Sequence, residues 1–182
     1  YPEYVTFKYP KVGEVNSKVN ISVYHLESKR TVNVRPDQPM EYVPRIFWSA
    51  HPDQLVVFNM NRHQNHLQLL MADAMTGKTR IFLEEKNKYY IDIHDHLTFL
   101  EDGKSFVWTS EKDGYNHVYL YDLNGKEINQ LTKGKWDVTT FYGMDIKKGK
   151  FYYQAAKASP LQRKVYEGII GSNKHRALTT QE

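Results

Sequence analysis

One phrase recurs along this chain and constrains its fold more than any other feature. The central copies are His66-Leu67-Gln68-Leu69-Leu70-Met71-Ala72-Asp73 before Thr76-Gly77-Lys78, and His117-Val118-Tyr119-Leu120-Tyr121-Asp122-Leu123 before Asn124-Gly125-Lys126. A later copy runs from Lys164 to Ile170 and meets Gly171-Ser172-Asn173-Lys174. A worn first copy runs from Asn20 to Leu26 and meets Glu27-Ser28-Lys29. The turn glycines Gly77, Gly125 and Gly171 stand 48 and 46 residues apart. A period of roughly 40–50 residues with several short strands per unit marks the blades of a β-propeller. One blade cannot bury both of its faces, so the units must stack, and function belongs to loops and a central channel.

The turn chemistry agrees with the period. The third unit reads Leu97 to Leu100, a turn at Glu101-Asp102-Gly103-Lys104, Ser105 to Ser110, a turn at Asp113-Gly114, Val118 to Tyr121, a turn at Asn124-Gly125, and Ile128 to Leu131. Asn-Gly and Asp-Gly supply the positive φ angles that tight hairpins demand. The second unit repeats the plan from Arg45 to Leu83 and the fourth from Thr139 to Thr179, while Pro36 and Pro39 link the first two units. The expected fold is therefore all-β: a partial β-propeller of about three and a half four-stranded antiparallel blades. The units are residues 1–35 (incomplete), 41–85, 89–135 and 138–181, all parts of one propeller domain over residues 1–182. Closed propellers have four to eight blades. Three and a half should leave faces and edges open, so the chain reads as an arc of a larger ring that self-associates through those faces when alone.

Composition narrows the function classes. Aromatic residues make up 14% of the chain, with 14 Tyr, which favours pleated, half-buried surfaces. The net charge of +4 is spread among 25 basic and 21 acidic residues without a run of five like charges, so no nucleic-acid partner is expected. No stretch reaches the roughly 18 apolar residues of a membrane span, and no charged segment precedes an apolar run as in a signal peptide. A start at Tyr1 without Met suggests processing or a larger parent. Cys is absent, which excludes disulfides, thiolate metal sites and cysteine catalysis.

Candidate chemistry is sparse. No serine sits in the Gly-x-Ser-x-Gly setting of a nucleophile elbow, so no catalytic residue is assigned and the chain alone should be inactive. Gly103-Lys104-Ser105 looks like the end of a P-loop, but Thr98 stands where its first glycine belongs and a strand follows, so it reads as a hairpin turn. The residues with binding potential are Asp92, His94, Asp95 and His96. Two imidazoles two apart on a strand share a face and could share a metal with a third ligand such as His63, His66 or His117. Asp92 and Asp95 could form an acid/base pair. Against both stands a polar, channel-facing loop satisfied by hydrogen bonds and water; no metal and no cofactor are expected. Trp48, Trp108 and Trp136 read as packing between blades. Asn20-Ile21-Ser22 spells a glycosylation sequon inside an expected strand.

Four stretches together resemble the propeller of the dipeptidyl peptidase IV family: Tyr9-Pro10-Lys11-Val12-Gly13-Glu14-Val15-Asn16, Phe99 to Phe106 with its Asp102-Gly103 turn, Ser110 to His117 with Gly114-Tyr115-Asn116-His117, and Leu131-Thr132-Lys133-Gly134-Lys135-Trp136-Asp137-Val138. The resemblance covers nearly the whole chain. It implies the later blades of the propeller of a serine exopeptidase that releases X-Pro or X-Ala dipeptides from N-termini, with Ser, Asp and His on a separate α/β-hydrolase domain absent here. Such a propeller walls the chamber and gates peptide access, its partners being peptide substrates and its own hydrolase domain. The family's paired glutamates come from an earlier blade. An aromatic-Arg pair of mammalian members would fall near Lys88-Tyr89-Tyr90-Ile91-Asp92-Ile93-His94, which holds no Arg. The lack of cysteines, present in mammalian members, fits a bacterial protein exported to the periplasm or cell envelope. Two rival readings are a stand-alone propeller-type protein-interaction module and a metal- or sugar-handling propeller enzyme using the Asp92 to His96 cluster.

Overall fold

The computed structural model describes residues 2–9 and 11–179. Tyr1, Pro10 of the Tyr9-Pro10 motif, and the last residues of the fourth expected unit lie outside the described residues. Among the described residues, fourteen strands form four sheets, each an antiparallel meander in chain order. Sheet I holds β1 (Ser22–His25) and β2 (Arg30–Asn33). Sheet II holds β3 (Ile46–Trp48), β4 (Gln54–Met60), β5 (His66–Asp73) and β6 (Thr79–Lys86). Sheet III holds β7 (Thr98–Phe99), β8 (Ser105–Ser110), β9 (His117–Asp122) and β10 (Glu127–Gln130). Sheet IV holds β11 (Val138–Asp145), β12 (Lys150–Ser159), β13 (Gln162–Ile169) and β14 (His175–Ala177). There is no helix among the described residues. Three four-stranded sheets and a two-stranded one meet the expectation of a partial propeller.

Strand alternation explains how the sheets stack. On β4, Val56, Phe58 and Met60 enter the core shared with sheet III, while Leu55 and Val57 enter the core shared with sheet I. On β8 and β9, Phe106, Trp108, Tyr119 and Tyr121 face sheet II, and Val107, Val118 and Leu120 face sheet IV. Successive side chains point to opposite faces, so strands apolar at every position end up buried on both sides. Each such side chain contributes about 2 kcal/mol relative to exposure.

The recurring glycines act at the seams. Gly77 and Gly125 have φ near +75° and +77° in hairpins that press on the preceding sheet. A Cβ at Gly77 would overlap the Asn33 carbonyl oxygen, and one at Gly125 the Phe82 carbonyl oxygen. Gly171 has the same φ of +75° and nothing within 4 Å of a Cβ, so its turn makes no such contact.

Two expectations fail. Trp48 is not buried between sheets: it is 57% exposed, on the face towards sheet I, whose two described strands do not cover it. Residues 90–97 form the connection from β6 to β7 rather than a strand, so His94 and His96 are not held on a pleated face.

Candidate functional site

The connections that finish β6 and β8 and those that begin β9 and β11 converge at one end of the sheets. They enclose a cleft of about 340 Å³. Ile91, Asp92, His94 and His96 come from the β6–β7 connection, Ser110, Glu111 and Asn116 from the β8–β9 hairpin, and Asp137 from the approach to β11. Backbone bonds fix these loops: the Ile91 N–H donates to the Gln64 carbonyl at 2.8 Å, and the Val138 N–H to the Asn116 carbonyl at 2.8 Å. Asn116 also receives a carboxylate anchor, its N–H donating to Asp137 Oδ1 at 2.8 Å.

Three of the four sequence candidates meet here and one does not. Asp95 lies outside the cleft, where Arg45 Nε donates to its Oδ1 at 2.6 Å and holds its carboxyl below the usual range. Asp92 lines the cleft, so the two aspartates are no acid/base pair. His94 donates from Nε2 to the Thr109 carbonyl at 2.8 Å and packs against Trp108, ring centres 4.1 Å apart. Burial first, and the neighbouring His96 second, lower its pKa to about 4. His96 Nδ1 lies 3.2 Å from Thr109 Oγ1, and burial lowers its pKa as well. The two rings stack at 5.2 Å, and His94 Nε2 and His96 Nδ1 both engage Thr109 while His94 Nδ1 accepts from the His96 N–H.

None of the third ligands considered joins the histidine pair. His66 bonds Glu84 at 2.7 Å. His117 lies 3.1 Å from Thr132 Oγ1 through Nδ1 and donates from Nε2 to the Gly134 carbonyl at 2.9 Å, with Trp136 edge-on at 4.9 Å. That arrangement interlocks the Gly-Tyr-x-His and Leu-Thr-x-Gly-x-Trp stretches, giving both motifs a packing role. Among the described residues no three His, Asp or Glu side chains are grouped to hold a metal ion.

The cleft also holds carboxylates that the sequence reading missed: Glu85, Glu111 and Asp137. Trp108 Nε1 donates to Glu85 Oε2 at 2.9 Å, and Ser110 donates to its other oxygen, so Glu85 ties sheet II to sheet III. Burial, then the charges of Asp137, Asp92 and Glu85, push the Glu111 carboxyl up. A positively charged group placed among these side chains would relieve the repulsion. The three lie on different sheets, so only the repeat's periodicity signals that they share an end of the molecule.

A family model for the dipeptidyl peptidase IV N-terminal region matches residues 1–182. The chain belongs to that family. The dipeptidyl peptidase 4 of Porphyromonas gingivalis, known from a crystal structure, is 36% identical and superposes with a TM-score of 0.89 over 100% of this chain and 26% of its own. A Bacteroides ovatus protein described as a dipeptidyl aminopeptidase IV is 25% identical, with a TM-score of 0.81 over 93% of this chain and 27% of its own. A Tuber melanosporum protein described as a dipeptidyl-aminopeptidase B is 28% identical over 99% of this chain and 22% of its own length. The chain thus spans about a fifth to a quarter of these relatives. Within the dipeptidyl peptidase IV N-terminal region, the cleft is formed by connections between consecutive sheets, the part of a repeat architecture where function resides.

Proposed function

We propose that this chain is a non-catalytic propeller segment of a serine-type dipeptidyl peptidase that releases X-Pro or X-Ala dipeptides. Its sheets wall the chamber, and the cleft over Asp92, His94, His96 and Glu111 helps gate the approach of peptides. Supporting this reading is the meeting of four carboxylates and two neutral imidazoles at one end of three stacked sheets, in a chain of that family. The acidic lining favours the cationic end or basic side chains of a peptide over an anionic one. Ser-His-Asp chemistry is assigned to a domain beyond these residues, and the whole protein is proposed to act outside the cytoplasm, in a bacterial cell envelope.

The test uses the parent enzyme. Asp92→Asn combined with Glu111→Gln should change KM for basic peptides severalfold while leaving kcat for a Gly-Pro amide near its starting value. Equal kinetics on basic, neutral and acidic peptides would remove the gating role. Amide release by the 182-residue chain alone would overturn the non-catalytic assignment.

A further inference from the structure

The end of the molecule that holds the cleft is divided by charge. Glu85, Asp92, Glu111 and Asp137 line the cleft, and among the described residues none of them is in an ion pair. On the other side of Trp136 the sign reverses. Lys133 and Lys135 stand in the β10–β11 connection, and Lys157, Arg163 and Lys164 on the β12–β13 hairpin. Residues 146–166 contain no Asp or Glu. None of these five basic residues is in an ion pair among the described residues either.

Strand pairing brings that hairpin to the cleft. Val138, which lines the cleft, pairs with Ala155, and Ala155 pairs with Lys164. One further bond ties the hairpin to the cleft wall, from the Ala156 N–H to the Asp137 carbonyl at 3.0 Å. Residues 157–163 then run on with no flanking strand among the described residues, so the hairpin stands out past the cleft rim. Lys157 lies on its sheet III side. Its Nζ is 5.3 Å from the Trp136 ring centre and 5.7 Å from that of Tyr166. Trp136 stacks on Tyr153, and Tyr153 and Tyr166 belong to the core shared with sheet III. The Lys157 stem is thus held over aromatic faces while its ammonium lacks a carboxylate. Partial burial lowers its pKa, a strain that an anion placed beside it would relieve. Trp136 directly precedes Asp137, so this cation stands at the wall of the acidic cleft.

We propose that Lys157 binds a carboxylate of the peptide whose cationic group the cleft receives, so that this end of the molecule selects dipolar peptides. The assignment rests on the peptide-gating reading of the cleft. A polyanion such as nucleic acid would meet Lys157 and Arg163 but be repelled by the four carboxylates beside them. A purely cationic ligand would meet the reverse. A peptide that carries both signs a few residues apart satisfies both halves. The carboxylate is either the C-terminus or an acidic side chain, which present the same group to an ammonium.

Three peptides given to the parent enzyme test this: Gly-Pro-Ala-Ala with a free C-terminus, its C-terminal amide, and the amide with Glu as fourth residue. The N-terminal ammonium supplies the cation in each. A carboxylate-bearing peptide should exceed the neutral amide roughly tenfold in kcat/KM at low salt, and the advantage should shrink at high salt. Preference for the free acid alone assigns the C-terminus; preference for the Glu amide alone assigns a side chain. Lys157→Gln should bring the preferred peptide down to the level of the amide, and Lys157→Arg should keep most of the preference. Calorimetric binding of the same peptides to the parent reads the preference even where nothing is cleaved. Cleavage or binding without a carboxylate preference, or a preference that survives Lys157→Gln, would overturn the role of Lys157. Binding with the preference but without cleavage would overturn the peptidase reading alone.

Discussion

Sheets III and IV share one plan and differ in what covers them. In sheet III, β8 and β9 are buried on both faces, with Phe106, Trp108 and Tyr119 against sheet II and Val107 and Val118 against sheet IV. Sheet IV buries Phe151, Tyr153 and Ala155 on one side only. Its other side carries Lys150, Tyr152, Gln154 and Glu167, paired among themselves: Lys150 Nζ donates to Glu167 Oε2 at 3.0 Å and Thr139 Oγ1 to Gln154 Oε1 at 2.9 Å. An uncovered face therefore need not be an adhesive one. Water can cover the polar ladder of sheet IV, beside which Tyr142 and Ile169 stand exposed, whereas a larger group of exposed apolar residues lies at the opposite end, around Ile46, Trp48 and the segment before β1. Self-association of the chain alone, which we propose, should then use the sheet I end and not the sheet IV face.

Substitutions can break this contrast. The largest effect should come from Trp108→Ala, which empties the seam between sheets II and III and leaves Glu85 without one of its donors; a loss of about 4 kcal/mol in urea unfolding is expected. A loss below about 1 kcal/mol would mean that the two-sided core is not what holds sheet III. Gly125→Ala should cost about 3 kcal/mol, combining the left-handed φ with the collision at Phe82. Gly171→Ala, in the equivalent turn with open space around it, should cost only about 1 kcal/mol. Similar losses at the two glycines would show the outer seams to be alike after all.

Acid should weaken sheet III through His94. Its pKa in the folded chain is about 4 against an ordinary 6.5, so on acidification the unfolded chain takes up the proton first. The stabilisation is complete above pH 6.5 and fades as the pH falls towards 4, by about 3 kcal/mol. Urea midpoints at several pH values should flatten in His94→Gln; an unchanged slope would trace the acid sensitivity to other groups. The smallest effect belongs to Tyr152→Ala on the polar face of sheet IV, expected at under ~1 kcal/mol. A larger loss would mean that this face is covered in solution.

Much of the fold was legible because its signals are local. Asn124-Gly125 and Asp102-Gly103 mark hairpins within four residues, and the near-continuous apolar runs along Gln54–Met60 and His117–Asp122 mark strands buried on both sides. The site was half legible. Asp92, His94 and His96 stood out because they cluster in the chain. Glu85, Glu111 and Asp137 did not, each being an ordinary charged residue, one at the end of β6, one in the β8–β9 hairpin and one just before β11. The Arg45–Asp95 pair, fifty residues apart in sequence, had no signal at all.

The amino-acid order by itself determined that this chain makes antiparallel four-stranded units, where their turns fall, and which side chains share a face, because backbone sterics and the two-residue period of a strand act over a few positions. Only the packing of sheet on sheet decided which of those faces is dry, that Trp108 is buried and Trp48 is not, and that carboxylates from three units meet in one cleft. Those outcomes depend on which surface arrives opposite which, a matter settled by apolar area removed from water between units some 45 residues apart.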